Sequence, residues 1–157
     1  MSSQQLVIAY IGSNLAALLL LFLSWKRKNT ARFLFAVLFI WASVTNWRTA
    51  NSNPTVYLEY SEYAIGIYQK IIHGYFASHI TGIVSLIAAG QLLIGLGMLA
   101  RGMIVQVSCA GGIIFLLAIA PLGFGSAFPF SITTSIALYL LFRHRFTKDI
   151  FKNKWWI

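Results

Sequence analysis

An all-α integral membrane bundle, with five transmembrane spans and an outer interfacial amphipathic helix, is the fold class this sequence predicts. Three observations carry that expectation. Of the 157 residues, 59% are apolar or aromatic and only 10% are charged, whereas a soluble domain keeps about a quarter of its residues charged to face water. Apolar runs near 20 residues, the length a helix needs to cross a ~30 Å hydrocarbon core, recur along the chain. The basic residues gather at the ends of those runs. The net charge of +9 therefore reads as anchoring to anionic headgroups and not as a nucleic-acid footprint. Together these features exclude an ordinary cytosolic enzyme, a disordered tail and a nucleic-acid module.

The elements follow in order. Residues 6–25 form the first span, closed by Lys26-Arg27-Lys28. With no basic start and a poor cleavage site, this run reads as a retained span and not a signal peptide. Residues 32–48 form the second, with Arg32 and Arg48 expected to snorkel at its two ends. The third, 76–99, is rich in Gly, Ser and Ala, and Arg101-Gly102 breaks it from the fourth, 103–120, which stops at Pro121. The fifth, 124–142, is short and carries Pro129 near its start. Residues 143–157 make a basic tail.

Between the second and third spans, Asn51-Ser52-Asn53-Pro54 reads as a turn. From Val56 a helical period places Tyr57, Tyr60, Ala64, Ile67, Tyr68, Ile71 and Tyr75 on one face. Glu59, Glu62, Gly66, Gln69, Lys70 and His73 fall on the other. A single amphipathic helix over 56–74, lying in the interface or capping the bundle, is the expectation. The whole chain, 1–157, is one membrane domain. The positive-inside rule puts ten of the twelve Lys and Arg in the cytoplasm, leaving Arg48 and Lys70 outside. The N-terminus is then outside and the C-terminus cytoplasmic.

Glu59, Glu62, Lys70 and His73, with Tyr60 and Tyr63 beside them, are the candidate ligand-binding residues. Carboxylate, ammonium and imidazole on one face could hold an anionic headgroup, pass protons to a quinone or dock a partner. The plainer reading is the solvated face of an amphipathic helix. His73 and His79, six residues apart, do not share a helical face, so neither haem nor another metal is expected. Cys109 is the one cysteine, which removes any internal disulfide or thiol relay. Asn14 and Gln91 are polar groups near the middle of the first and third spans. They are expected to meet in a hydrogen bond across helices. No charged residue sits deep in a span, which argues against a pump, antiporter or voltage sensor.

The run Gln91-Leu92-Leu93-Ile94-Gly95-Leu96-Gly97-Met98-Leu99-Ala100-Arg101, followed by another apolar helix, resembles the DoxX-like family of small membrane proteins. Asn46-Trp47-Arg48, Asn53-Pro54 and the amphipathic stretch fit the same pattern, so the resemblance covers roughly residues 32–143. It implies a four-helix core, to which 6–25 adds an extra N-terminal span. Gln91 stands where the family often has Glu, which removes a carboxylate from that position. The resemblance further implies a redox-associated membrane subunit. With no acid–base pair within a span, no nucleophile with a base and no metal cluster, the leading expectation is a non-catalytic subunit or scaffold of a bacterial-type inner membrane, acting through a protein partner or as a homo-oligomer. Catalytic residues are expected to be none. A quinone-binding oxidoreductase subunit, with the quinone near Tyr60, Tyr63, Lys70 and His73, is one alternative. A small lipid or solute carrier opened by the break at 121–129 is the other.

Overall fold

The computed structural model describes residues 3–148 and residue 150. Asp149 and 151–157, which hold the end of the expected basic tail, lie outside the described residues. The α-helices are α1 (Ser3–Lys26), α2 (Lys28–Ser52), α3 (Gly66–Ile71), α4 (Ala77–Leu99), α5 (Met103–Ile119) and α6 (Phe130–Phe142). A 3-10 segment, Pro54–Glu62, joins α2 to α3, and a π turn, Ile72–Phe76, joins α3 to α4. A second 3-10 segment, Ala120–Ser126, follows α5. No strand occurs among the described residues.

Four stretches are long and apolar enough to cross a membrane: Val7–Lys26, Lys28–Ser52, Gly66–Leu99 and Met103–Gly123. They correspond to the first four expected spans with shifted ends. The second runs from Lys28 to Ser52 and not from 32 to 48. The third starts at Gly66, because α3, the π turn and α4 follow one another nearly end to end. The fifth run is shorter than expected. α6 starts only after Pro129 and has 13 residues, a rise of about 20 Å against a ~30 Å core.

The expected helix over 56–74 does not form as one element. Pro54 opens a 3-10 segment that ends at Glu62, and Ile65 is extended (φ −65°, ψ 151°) before Gly66 starts α3. Tertiary bonds favour this break. The Ile65 N–H donates to Pro121 O at 3.1 Å, and Tyr68 Oη donates to Ala118 O at 2.7 Å. Gly123, at φ +59°, passes so close to the backbone that an added Cβ would lie 2.6 Å from Tyr63 O. A left-handed glycine is what lets the two 3-10 segments touch.

At the other end of the bundle the main core gathers Phe35, Phe39, Met98, Val105, Cys109, Leu138 and Leu141. Arg32 sits over this core with 0% exposure. Its Nε donates to Met98 O and its Nη2 to Leu99 O (3.2 Å) and Ala100 O (2.7 Å). Nη1 reaches Lys148 O at 3.5 Å. The guanidinium also lies 4.8 Å from the Phe146 ring. The last carbonyls of a helix have no intrahelical donor and carry its negative dipole end, and Arg32 caps those of α4. The expectation that Arg32 snorkels to the membrane surface is therefore corrected. The planar fork of a guanidinium can serve three successive carbonyls at once. Beside it, Gly102 N–H donates to Phe146 O at 2.7 Å, tying the segment after α6 to the α4–α5 turn.

Helices α2 and α4 pack tightly at Gly95. A Cβ there would fall 2.7 Å from Ile40 Cγ1 and 3.1 Å from Ala36 O. Small residues at such crossings let backbones pack without a hydrophobic driving force between helices. Three buried hydroxyls, Ser24, Ser131 and Thr134, make no hydrogen bond among the described residues.

Replacing Arg32 with Met keeps much of the side-chain volume but strands the α4 carbonyls. Thermal unfolding in detergent should show a loss of about 3 kcal/mol. Arg32→Lys should recover only part of that loss, because one ammonium cannot bridge the same carbonyls in a fixed plane.

Candidate functional site

The end of the bundle opposite Arg32 carries most of the polar side chains singled out from the sequence. Glu59, Tyr60 and Glu62 lie on the Pro54–Glu62 segment, Tyr63 at its end, Lys70 on α3 and His73 in the π turn. Glu59, Glu62, Tyr63, Lys70 and His73 are exposed, and Tyr60 is half-buried. They belong to two short elements separated by the extended turn at Ile65, not to one face of one helix. No ion pair joins the carboxylates to Lys70 or His73 among the described residues. Tyr60 instead packs edge-on against Tyr57, with centroids 5.9 Å apart. Nearby, His79 stacks on Tyr75 at 4.3 Å, its Nδ1 lying 3.0 Å from Tyr75 O.

Beneath these exposed groups runs a buried polar network. Asn46 Nδ2 donates to Gln91 Oε1 at 2.9 Å, and Tyr57 Oη donates to Asn46 Oδ1 at 3.0 Å. One chain of side chains thus links α4, α2 and the first 3-10 segment. Ser43 Oγ donates to Ala88 O at 2.6 Å on one side, and Thr81 Oγ1 to Ala50 O at 3.1 Å on the other. Gln91 and Tyr57 are buried at 3% and 7% exposure. In hydrocarbon each of these groups needs a partner, and each has one.

Asn14 and Gln91 do not meet. Asn14 Nδ2 donates to Tyr10 O (3.0 Å) and to Ala127 O (3.1 Å), and Tyr10 Oη donates to Phe128 O at 2.5 Å. The segment before α6 is irregular, with Ala127 at φ 52° and a cis Phe128–Pro129 bond. Its carbonyls lie against the middle of α1, where water is scarce. Irregular backbone is tolerated at such depth only where protein groups satisfy it. Tyr10 and Asn14 do that for α6, and this explains a polar residue in the middle of an apolar span. The reading from sequence missed Asn46, Tyr57 and Arg32 as parts of the buried framework. Their signal was a polar atom at the edge of an apolar run, which does not name its partner.

Burial, and then the Tyr60 phenol, push the Tyr57 phenol above its usual pKa of 10.0. Tyr60 is raised by burial and then by Glu59. Among the described residues, no three of His, Cys, Asp and Glu come together. The site offers hydrogen bonds and a tyrosine-rich rim; no nucleophile is paired with a base in it. No protein-family model, curated protein or solved structure matches the chain, so its reading rests on its own geometry.

Two predictions follow from this geometry. A double-mutant cycle with Asn46→Leu and Gln91→Leu should show a coupling of about 0.5–1.5 kcal/mol in thermal unfolding, while Asn14→Leu and Gln91→Leu should be additive. The second concerns alkaline pH. Both raised phenols hold their protons more tightly when folded than unfolded. The stability they contribute is complete below the unfolded value near pH 10 and is lost as pH rises through the folded values. Unfolding midpoints should therefore fall above about pH 10, and Tyr57→Phe should flatten that fall.

Proposed function

We propose that this chain is a non-catalytic subunit or scaffold of the DoxX-like type, acting through a partner in a redox-associated assembly of a bacterial inner membrane. Its N-terminus is outside and its C-terminus cytoplasmic. The observation that carries the reading is the use made of the polar groups within the bundle. Arg32, Asn14, Ser43, Asn46, Thr81 and Gln91 all bond to backbone carbonyls or to one another. Pumps and transporters leave such groups facing a cavity or an ion path; here they hold helices and helix ends. The run 91–101 supports the DoxX-like part, and the lopsided placement of Lys and Arg supports the orientation.

Under this proposal the functional surface is the exposed outer rim around Glu59, Glu62, Lys70 and His73, available to another protein. Purification of the full chain in mild detergent after in-cell cross-linking should recover a partner in stoichiometric amount, and a cysteine at Thr55, which is exposed on the same segment, should label from outside the cell. Recovery of the chain alone would overturn the scaffold reading, a retained quinone would favour the oxidoreductase alternative, and labelling only from the cytoplasm would reverse the orientation.

A further inference from the structure

At the Arg32 end, α1 and α2 are separated by a single residue, Arg27. The turn walls a cleft of about 490 Å³ lined by Lys26, Arg27, Lys28, Asn29, Thr30 and His144. We propose that this cleft is a specific binding site for the phosphate of an anionic phospholipid, and not only a patch of diffuse positive charge.

Three observations converge on it. The first is charge: three cationic residues and two neutral polar ones line one open concavity, Lys28 Nζ also donating to Trp25 O at 3.3 Å, while the two carboxylates the structure describes, Glu59 and Glu62, are at the other end of the bundle. The second is the backbone. Arg27 N–H donates to Leu23 O and Ala31 N–H to Arg27 O, so both neighbours of the turn are satisfied. The N–H groups of Lys28, Asn29 and Thr30, between them, belong to the first turn of α2, where no intrahelical acceptor exists. The Arg27 side chain does not cap them. Those three residues line the cleft, so unsatisfied donors and the positive end of a 25-residue helix face the same space as the cations.

The third is depth, and it selects a lipid as the source of the phosphate. Trp25 is 63% exposed beside the cleft, with Lys26 Nζ 4.0 Å from its ring. An indole and a lysine so placed mark the headgroup level of a bilayer. Below them the outward face of α1 exposes Leu18, Leu19 and Phe22. A phosphate held in the cleft would thus have its acyl chains alongside an apolar surface.

The test uses the full chain in nanodiscs of phosphatidylcholine containing a minor fraction of phosphatidylglycerol, with bound lipid counted by native mass spectrometry. The expected result is retention of one phosphatidylglycerol in preference to phosphatidylcholine. Arg27→Gln and Lys28→Gln should each weaken it about fivefold, whereas Arg101→Gln, a charge at the same end but outside the cleft, should leave it unchanged. Thr30→Glu is the decisive variant. A carboxylate in the first helical turn suits the helix dipole, so the protein should stay folded with its melting temperature kept while its own side chain displaces the phosphate and abolishes retention. Occupancy should also raise the pKa of His144, which burial and then Lys28 hold below its usual value in the empty cleft. Equal loss with Arg101→Gln, or full retention by Thr30→Glu, would overturn the proposal. The same His144 shift with inorganic phosphate alone, in lipid-free detergent, would overturn the lipid assignment in favour of a free anion.

Discussion

Three carbonyls at the end of α4 have no donor within their own helix, and one buried guanidinium supplies them. Much of the basic end follows from that constraint. Because Arg32 is on the first turns of α2, its bonds to Met98, Leu99 and Ala100 fix the register in which α2 lies along α4. That register brings Gly95 against Ala36 and Ile40, and farther along it sets Ser43 opposite Ala88 and Asn46 opposite Gln91. The Phe146 ring closes over the guanidinium, and Phe146 O takes the Gly102 N–H. The return of the chain after α6 is thereby pinned to the same spot. An exposed arginine at the end of a span would do none of this.

The same physical demand, that backbone groups in hydrocarbon find partners inside the protein, operates beside the middle of α1 through different chemistry. There the groups are an asparagine and a tyrosine on α1, spent on the carbonyls of Ala127 and Phe128. At the end of the bundle away from Arg32, the connecting segments interlock by Ile65 to Pro121 and Tyr68 to Ala118. Arg32, Asn14, Ser43, Asn46 and Gln91 each have a structural occupation within the bundle. This is why the scaffold reading is preferred over a transport path, and why the surface groups outside the bundle are where recognition is sought.

Much of the architecture was legible in the sequence, because apolar run length and flanking charge are direct consequences of the bilayer's thickness and polarity. Four spans could be read that way. The helical period over 56–74 misled for a definite reason: a period describes which side chains would share a face if the helix continued, and it is blind to a break at Ile65 favoured by the bonds from Ile65 to Pro121 and from Tyr68 to Ala118, far along the chain. Arg32 misled because burial and snorkelling look alike in one dimension; only the facing helix end distinguishes them. Asn14, Asn46 and Gln91 were visible as polar groups needing partners, but the choice among partners is set by helix adjacency, which a single sequence does not encode. Of the outer candidate residues, the sequence located the elements they sit on, while their separation onto two short segments depended on the same break.

The shortness of α6 has a consequence for the surrounding lipid. The bundle is not a cylinder of even apolar height. The face built on the Gly66–Leu99 run is tall, whereas the face shared by α6 and the middle of α1 is low, since polar capping groups and an irregular turn replace a third of the expected helix there. A bilayer of uniform thickness cannot match both at once. It must thin beside the low face, or the molecule must tilt toward it, at a cost of fractions of a kcal/mol per ångström. The protein thus imposes a lateral asymmetry on its own annulus of lipid, and neighbouring membrane proteins with short apolar girdles gain by gathering on that side.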